Sequence, residues 1–358
     1  MKTVVVLDPN TELKDENLQT TRITIDEKEF LFSIVDIPYS LDVDVDDDCV
    51  MVKINAFSCN YRDKKIFELF NSKCAQNHSS DSFFFSYFGS DFVGEVLKIG
   101  KNVKAFVVGD RVIPDHSYPW KSDNLFGGVV TNIASKRIQV FRESFLAKVP
   151  DSMSDSQAAS FPLTSLTANS IVSKAHINPG DKVLVTSVFS NTSIGCLEFL
   201  RHFKDLEIYA LSTHKRDLDG LAHHFQIRQV FSPDDLSNYD LRPKLKFDVI
   251  IDPFADIHIE LLSTFLNFNS RYISCGITNL GAININTFDV LVKFIVSNSV
   301  FIANCLGKPE NLKEALAAYN RGEYQIYVDS VYKEEQLSSF ILRTFNEKHF
   351  GKVVFLYD

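Results

Sequence analysis

The spacing of hydrophobic positions changes near residue 155. Before it, short apolar runs alternate with polar residues in "FLFSIVDIP" (30–38), "CVMVKINAFSC" (49–59), "DFVGEVLKIG" (91–100), "DRVIP" (110–114) and "RIQVF" (137–141). Alternation at every second position is the signature of strands with one buried face. A Gly-Asp turn inside "NVKAFVVGDRVIP" (102–114) signals a hairpin. After it, "SDSQAASFPLTSLTANSIVSKAH" (154–176) reads as one helix. Apolar strands then alternate with helical stretches: "KVLVTSV", "IGCLEFLRHF", "LEIYALS", "LDGLAHHF", "QVFSP", "FDVIIDP", "IELLSTFLNF" and "SRYISCGI". Strands as uniformly apolar as "VLV" and "VII" are buried on both faces, as in a doubly wound parallel sheet. Beyond 297 come "SVFIANCLG", a helix over "PENLKEALAAYNRGE", and strand-like pieces ending in "GKVVFLYD".

The turn after the first of these parallel strands carries candidate chemistry. Strand, tight turn and helix together cradle a dinucleotide pyrophosphate, and glycines usually form the turn. Here "TSVFSNTSIG" (186–195) supplies Ser190, Asn191, Thr192 and Ser193, with one late glycine, Gly195. Small hydroxyl residues and asparagine still permit a tight turn, and the hydroxyls are suited to bonding phosphate oxygens. The same residues also serve simply as helix caps.

Composition narrows the class. The 358 residues carry a net charge of −9, which disfavours a nucleic-acid partner. The acidic run "LDVDVDDDC" (41–49) reads as a solvated turn. No apolar stretch approaches a membrane span, and the N-terminal apolar run is too short for a signal peptide. Six scattered cysteines, without a CxxC pair, point to reduced thiols in a cytoplasmic protein rather than to disulfides or a structural zinc lobe. Phenylalanine is abundant (31) and glycine sparse (14), so packing relies on aromatic rings.

Four motifs in order resemble the medium-chain dehydrogenase/reductase superfamily: "INAFSCNYRDKKIF" (54–67), "FGSDFVGEVLKIGKNVKAFVVGDRVIPD" (88–115), "FPLTSLTA" (161–168) and "GKVVFLYD" (351–358). The resemblance spans almost the whole chain. It implies an α/β protein: a β-rich GroES-like catalytic domain over 1–155, a Rossmann doubly wound parallel-sheet NADPH-binding domain over 156–297, and a C-terminal return to the catalytic domain over 298–358. Where the family's zinc enzymes place metal ligands, this chain has Asn60, Ser90 with Asp91, and Leu163; Cys59 is one residue out of register. The four-cysteine lobe is also missing from "PDHSYPWKSDNLFGGVV" (114–130). "NYRD" and "GSDF" look like the zinc-free quinone oxidoreductase and enoyl reductase branch.

The resemblance also directs attention to individual residues. At the end of the second parallel strand an acid would favour NAD, whereas "IYALSTHKRDLDG" (208–220) offers Ser212, Thr213, Lys215 and Arg216. Hydroxyls with cations suit the 2′-phosphate of NADPH; the alternative is a solvated loop with two basic residues. Gly276 in "SCGITNLGA", the segment "NCLG" (304–307) and Lys352 are expected near the cofactor. Tyr61 is the first candidate proton donor, or else an aromatic lining beneath the nicotinamide. Asn60 is a candidate hydrogen-bond donor to cofactor or substrate. Arg62 with Asp63 reads as a structural pair. His116 is a second candidate proton donor, or a histidine of a surface loop.

The function implied is zinc-independent, NADPH-dependent reduction of an activated C=C bond by hydride transfer and protonation. Its acceptor is an enone, a quinone, or a dehydroalanine residue of a lantibiotic precursor peptide, giving D-alanine; an acidic rim would help hold a basic peptide. The alternatives are a catalytically inactive NADPH-binding sensor or interaction protein, and a carbonyl reductase. The family pairs cofactor domains into homodimers, and the apolar segment 286–303 is the expected interface. "SDSFFFSYFGSDF" (80–92) is either an aromatic wall or core, and core is the ordinary use of such a run.

Overall fold

The structure is a computed structural model that describes residues 1–10, 19–76, 85–117, 129–213, 218–238, 244–278 and 285–358. It has two compact units, Met1–Leu163 with Ile326–Asp358, and Thr164–Gln325.

In the first unit, a four-stranded antiparallel sheet has the order β2-β3-β1-β5, with β1 Lys2–Leu7, β2 Thr20–Ile25, β3 Lys28–Asp36 and β5 Phe85–Ser86. A seven-stranded sheet follows the path β16-β17-β4-β6-β7-β9, and β8 pairs with β4. Its strands are β4 Cys49–Ser58, β6 Asp91–Ile99, β7 Arg111–Pro114, β8 Ile138–Arg142, β9 Leu146–Lys148, β16 Val328–Tyr332 and β17 Lys352–Leu356. The expected hairpin joins β6 to β7, and Gly109 takes the left-handed backbone (φ +91°) that the turn requires. Helices α1 Asp63–Gln76, α2 Asp155–Ala158 and α10 Leu337–Phe345 also belong to this unit.

Its core is built from the phenylalanines that the composition singled out. Phe57 lies 5.4 to 5.7 Å from the rings of Phe88, Phe340, Phe355 and Tyr357. Phe88 also meets Phe67 at 5.2 Å. Removing one such ring costs about 3–5 kcal/mol. The described part of the 80–92 run follows suit. Phe88 and Phe92 are fully buried, and Phe85 and Tyr87 pack on Val5, Leu7, Leu31 and Val35.

The second unit is a six-stranded parallel sheet in the order β12-β11-β10-β13-β14-β15. The strands are β10 Lys182–Val185, β11 Glu207–Leu211, β12 Ile227–Phe231, β13 Phe247–Ile251, β14 Leu266–Ser274 and β15 Val300–Ala303. Counted along the chain this is 3-2-1-4-5-6, and the order reverses between β10 and β13. Val183–Val185 and Val249–Ile251 are fully buried, as the uniformly apolar runs predict. The helices are α4 Asn191–Leu200, α5 Leu218–His224, α6 Pro233–Ser237, α7 Ala255–Leu262, α8 Thr287–Val296 and α9 Pro309–Asn320.

Three boundaries differ from the sequence reading. The helix expected over 154–176 is two, because Pro162 cannot continue α2 but fits the first position of α3 (Pro162–Ala175). The units divide at Leu163 and Thr164, in the first turn of α3, rather than at 155. The return starts at Ile326 rather than 298, because β15 extends the parallel sheet, pairing with β14 from Arg271 opposite Val300 to Ser274 opposite Ala303.

Candidate functional site

Three segments far apart in sequence meet at one corner of the seven-stranded sheet. The end of β4, Ser58, pairs with Asp91, the first residue of β6. Val354 of β17 also faces Ser58, so the antiparallel register sets Lys352 level with Asn60. Lys352 is 1% exposed. Its Nζ donates to the Cys59 carbonyl oxygen at 2.9 Å, Asn60 Oδ1 at 2.8 Å and Asp91 Oδ2 at 3.1 Å. An ammonium has three N–H groups, so each has an acceptor.

The other polar groups complete the cluster. Asn60 Nδ2 donates to Ser90 Oγ at 3.0 Å and to Asp91 Oδ2 at 2.8 Å. The Asn60 backbone N–H and the Ser90 hydroxyl both donate to Asp63 Oδ2, at 2.7 and 2.9 Å. Asp91 Oδ1 accepts the first-turn N–H of Leu163 at 3.0 Å, so this carboxylate also caps α3. His116 is fully buried. Its Nδ1 accepts the Val130 N–H at 3.0 Å, which puts the proton of the neutral ring on Nε2, 3.4 Å from Asp91 Oδ1. At that distance the contact is electrostatic rather than a strong hydrogen bond.

The electrostatics follow from burial. Burial alone would raise Asp91, but Lys352, then His116 and Asn60, outweigh it and hold the carboxyl at about 2. Asp63 goes the other way. Burial raises it, although Arg62, the Asn60 N–H, Ser90 and Lys352 all oppose. Burial also pushes the Cys59 thiol well up. The cluster is therefore a buried ion pair, Lys352 with Asp91, beside a second carboxyl that is harder to ionise.

Tyr61 is 50% exposed, and Lys64 Nζ lies 4.9 Å from its ring centroid. Arg62 donates to Asn132 Oδ1 at 2.7 Å and approaches Asp63 Oδ1 at 3.6 Å, the structural pairing expected of it.

In the second unit, the glycine-poor turn follows β10. Ser187 takes a left-handed backbone (φ +48°), a conformation glycine adopts at no steric cost. The Ser190 N–H closes the turn on the Ser187 carbonyl at 2.7 Å. Ser190 caps α4: its Oγ accepts the Ser193 N–H at 3.1 Å. The Ser190 hydroxyl donates to Ser193 Oγ at 2.9 Å, and the Ser193 hydroxyl donates to the Thr186 carbonyl at 2.7 Å. These two hydroxyls thus stabilise the turn itself. Asn191 and Thr192, half-buried, occupy the first turn of α4, where amides lack intrahelical acceptors and favour an anion. Gly195 keeps one glycine task. A Cβ there would stand 2.9 Å from Ala168 Cβ and 3.1 Å from the Tyr324 hydroxyl, so α4 packs closely on α3.

Beyond β11, Ser212 is buried and Thr213 exposed. Lys215 and Arg216 lie outside the described residues, as does Tyr118 beside His116. Gly276 follows β14, and a Cβ there would stand 2.9 Å from the Pro253 carbonyl oxygen. A parallel sheet whose order reverses between β10 and β13, with a helix N-terminus after β10, fits a dinucleotide.

Sequence reading missed the group at that reversal. Asp252, fully buried after β13, accepts the Thr186 hydroxyl at 2.6 Å, the Phe254 N–H at 3.2 Å and the Tyr272 hydroxyl, and lies 3.1 Å from His258 Nδ1. The available signal was the acid that ends the apolar run "FDVIID".

Comparison with known proteins agrees with this architecture. Residues 46–151 match the alcohol dehydrogenase GroES-like domain. Together with the parallel-sheet unit, that match agrees with an α/β fold made of a GroES-like domain and a Rossmann-like domain. A thermostable alcohol dehydrogenase from Pyrobaculum aerophilum aligns over 99% of this chain and 100% of its own, with TM-score 0.73 and 18% identity. The CurK enoyl reductase aligns over 99% and 100%, with TM-score 0.70 and 18% identity. In sequence, the quinone oxidoreductase of Pongo abelii is 25% identical over 210 residues, 57% of this chain and 59% of that protein. The polyketide synthase GfsB of Streptomyces halstedii is 27% identical over 192 residues, 53% of this chain but 3% of the synthase. The chain thus spans only a small part of the synthases it matches.

Proposed function

We propose that the chain is a zinc-independent, NADPH-dependent reductase of an activated C=C bond. The observation that carries this reading is the Lys352–Asp91–Asn60 cluster. Zinc needs three ligands drawn from Cys, His and carboxylate, around an open position. The positions the resemblance gives to ligands hold an amide (Asn60), a hydroxyl beside a carboxylate (Ser90 with Asp91) and a leucine with no donor atom, and an ammonium already neutralises Asp91. Among the described residues, no group of three His, Cys, Asp or Glu could hold a metal ion. That donor set does not fit zinc.

The cofactor reading is supported by the first turn of α4, with Asn191 and Thr192, and by Ser212 and Thr213 after β11. Lys215 and Arg216 add the charge that suits a 2′-phosphate. NADPH, when bound, supplies a hydride. The chain's own part is to polarise the acceptor and deliver a proton. Tyr61 suits that role, because it is half exposed and its hydroxyl is a proton donor. Asn60 and His116, with buried partners, serve to orient the cluster. The substrate class draws on relatives named as quinone oxidoreductase and enoyl reductase. A quinone or a 2-enoyl thioester is therefore the first choice, and a dehydroalanine peptide shares the same alkene chemistry.

Self-association is part of the reading. Phe288 (74%), Leu291 (56%), Ile295 (76%) and Val296 (75%) of α8 are exposed beside the sheet-edge strand β15. An apolar patch with an open strand edge suits a homodimer. The six cysteines stand as thiols, which suits a cytoplasmic enzyme. No described helix is long and apolar enough to cross a membrane.

The test is turnover by purified protein in the presence of a chelator, with NADPH or NADH and each acceptor in turn. Deuteride from labelled NADPH should appear at the β-carbon of a reduced enoyl thioester. Binding of neither cofactor, or activity abolished by chelation, would refute the reading.

A further inference from the structure

A continuous hydrogen-bonded chain links the point of sheet reversal to the glycine-poor turn. Asp252 accepts the Thr186 hydroxyl at 2.6 Å, the Thr186 carbonyl accepts the Ser193 hydroxyl at 2.7 Å, and Ser193 Oγ accepts the Ser190 hydroxyl at 2.9 Å. Ser190 then caps α4 through the Ser193 N–H. Thr186, Ser193 and Asp252 are fully buried. Asp252 is itself fixed from the far side by Tyr272 on β14 and by His258 on α7. Its charge is felt there: burial first, then Asp252, pushes the Tyr272 hydroxyl well up and the Cys275 thiol up to about 12.

This chain explains how the turn keeps its shape with a serine, Ser187, in the left-handed region. A glycine-rich turn reaches such a shape through conformational freedom, whereas here the shape is imposed by bonds running back to a buried carboxylate.

We infer that Asp252 and Thr186 are positioning residues for dinucleotide binding, fixing through Ser193 and Ser190 the backbone that meets the pyrophosphate. The inference rests on the proposed cofactor reading, but its structural half can be tested without cofactor. Thr186→Val keeps the shape and loses the hydroxyl, Thr186→Ser restores the hydroxyl, and Asp252→Asn puts an amide N–H where the carboxylate accepts.

The experiment compares amide hydrogen exchange over Ser187–Ile194 with that over β11, and measures NADPH affinity by nicotinamide fluorescence, all on the full chain. In Thr186→Val, exchange in the turn should rise and NADPH affinity fall, each about tenfold for one lost buried hydrogen bond. Exchange in β11 should be unchanged, and Thr186→Ser should restore both values. Unchanged exchange in the turn overturns the inference. So does faster exchange with unaltered affinity, because the turn's shape would then not matter to the ligand. If exchange rises in the variant but wild type binds no NADPH, the hydroxyl chain is upheld, while the cofactor reading and the inferred role in binding both fall.

Discussion

Replacing Lys352 with Met tests the buried ion pair directly. Methionine retains the length and apolar packing of the stem but removes the ammonium. Asp91 is left buried without its cation, and Asn60 Oδ1 and the Cys59 carbonyl lose a donor. Breaking a buried pair from one side costs about 3–5 kcal/mol. At about 2–4 °C per kcal/mol for a unit of this size, the melting temperature of the first unit should fall by roughly 6–20 °C. The pH dependence adds a signature. In the wild type the Asp91 carboxyl is held at about 2, below its ordinary 3.8. It therefore contributes on the order of 2 kcal/mol, present above its unfolded value and lost as pH falls toward 2. Without Lys352, the largest effect opposing burial is gone, so Asp91 should rise, and the variant's deficit should be smaller at pH 5 than at pH 8. The assay is urea unfolding at both pH values for Lys352→Met, Asp91→Asn and the double variant. Removing both partners should recover much of the loss, giving a coupling of about 2–3 kcal/mol. A deficit below about 1 kcal/mol, or a double variant no better than the sum of the singles, would refute the ion-pair account.

Three further outcomes follow from other parts of the chain. Lys215→Ala with Arg216→Ala should lower the preference for NADPH over NADH by about tenfold or more while leaving NADH affinity nearly unchanged, measured by fluorescence titration of both cofactors. Gly195→Val should cost about 1–3 kcal/mol in chemical unfolding, because its Cβ would press on Ala168 at 2.9 Å. If the proposed homodimer forms through α8, Ile295→Asp, at a position 76% exposed, should sediment as a monomer without unfolding; a variant that sediments like a dimeric wild type, or a monomeric wild type, would refute that interface.

The sequence disclosed the architecture better than the residue roles, and the reasons are physical. Period-two alternation and uniformly apolar runs report burial directly, so "VLV" and "VII" read correctly as central parallel strands. Boundaries were harder. A helical period does not reveal that Pro162 begins a second helix, nor that the apolar 300–303 stretch finds its partner in β14. Side-chain partners were harder still, because they depend on register between strands far apart in sequence. No local pattern around Lys352 reveals that its ammonium bonds Cys59, Asn60 and Asp91. His116 was read as a loop residue or a proton donor; it is buried, with its Nδ1 committed to Val130. Asp252 escaped notice because no local motif announces its four partners.

The two polar clusters share one logic. In each, a carboxylate sits where the chain enters or leaves a sheet, and its charge organises neighbours that would otherwise be costly to bury. Asp91, at the start of β6, accepts from Lys352, Asn60 and the first amide of α3. Asp252, just past the end of β13, accepts from Thr186, Tyr272 and the Phe254 amide. A buried charge costs several kcal/mol unless every lone pair is met, so each cluster tolerates few substitutions. That constraint also gives rigidity. The first cluster compensates Asp91 with a lysine of the chain itself, and the second stiffens a turn that lacks the usual glycines.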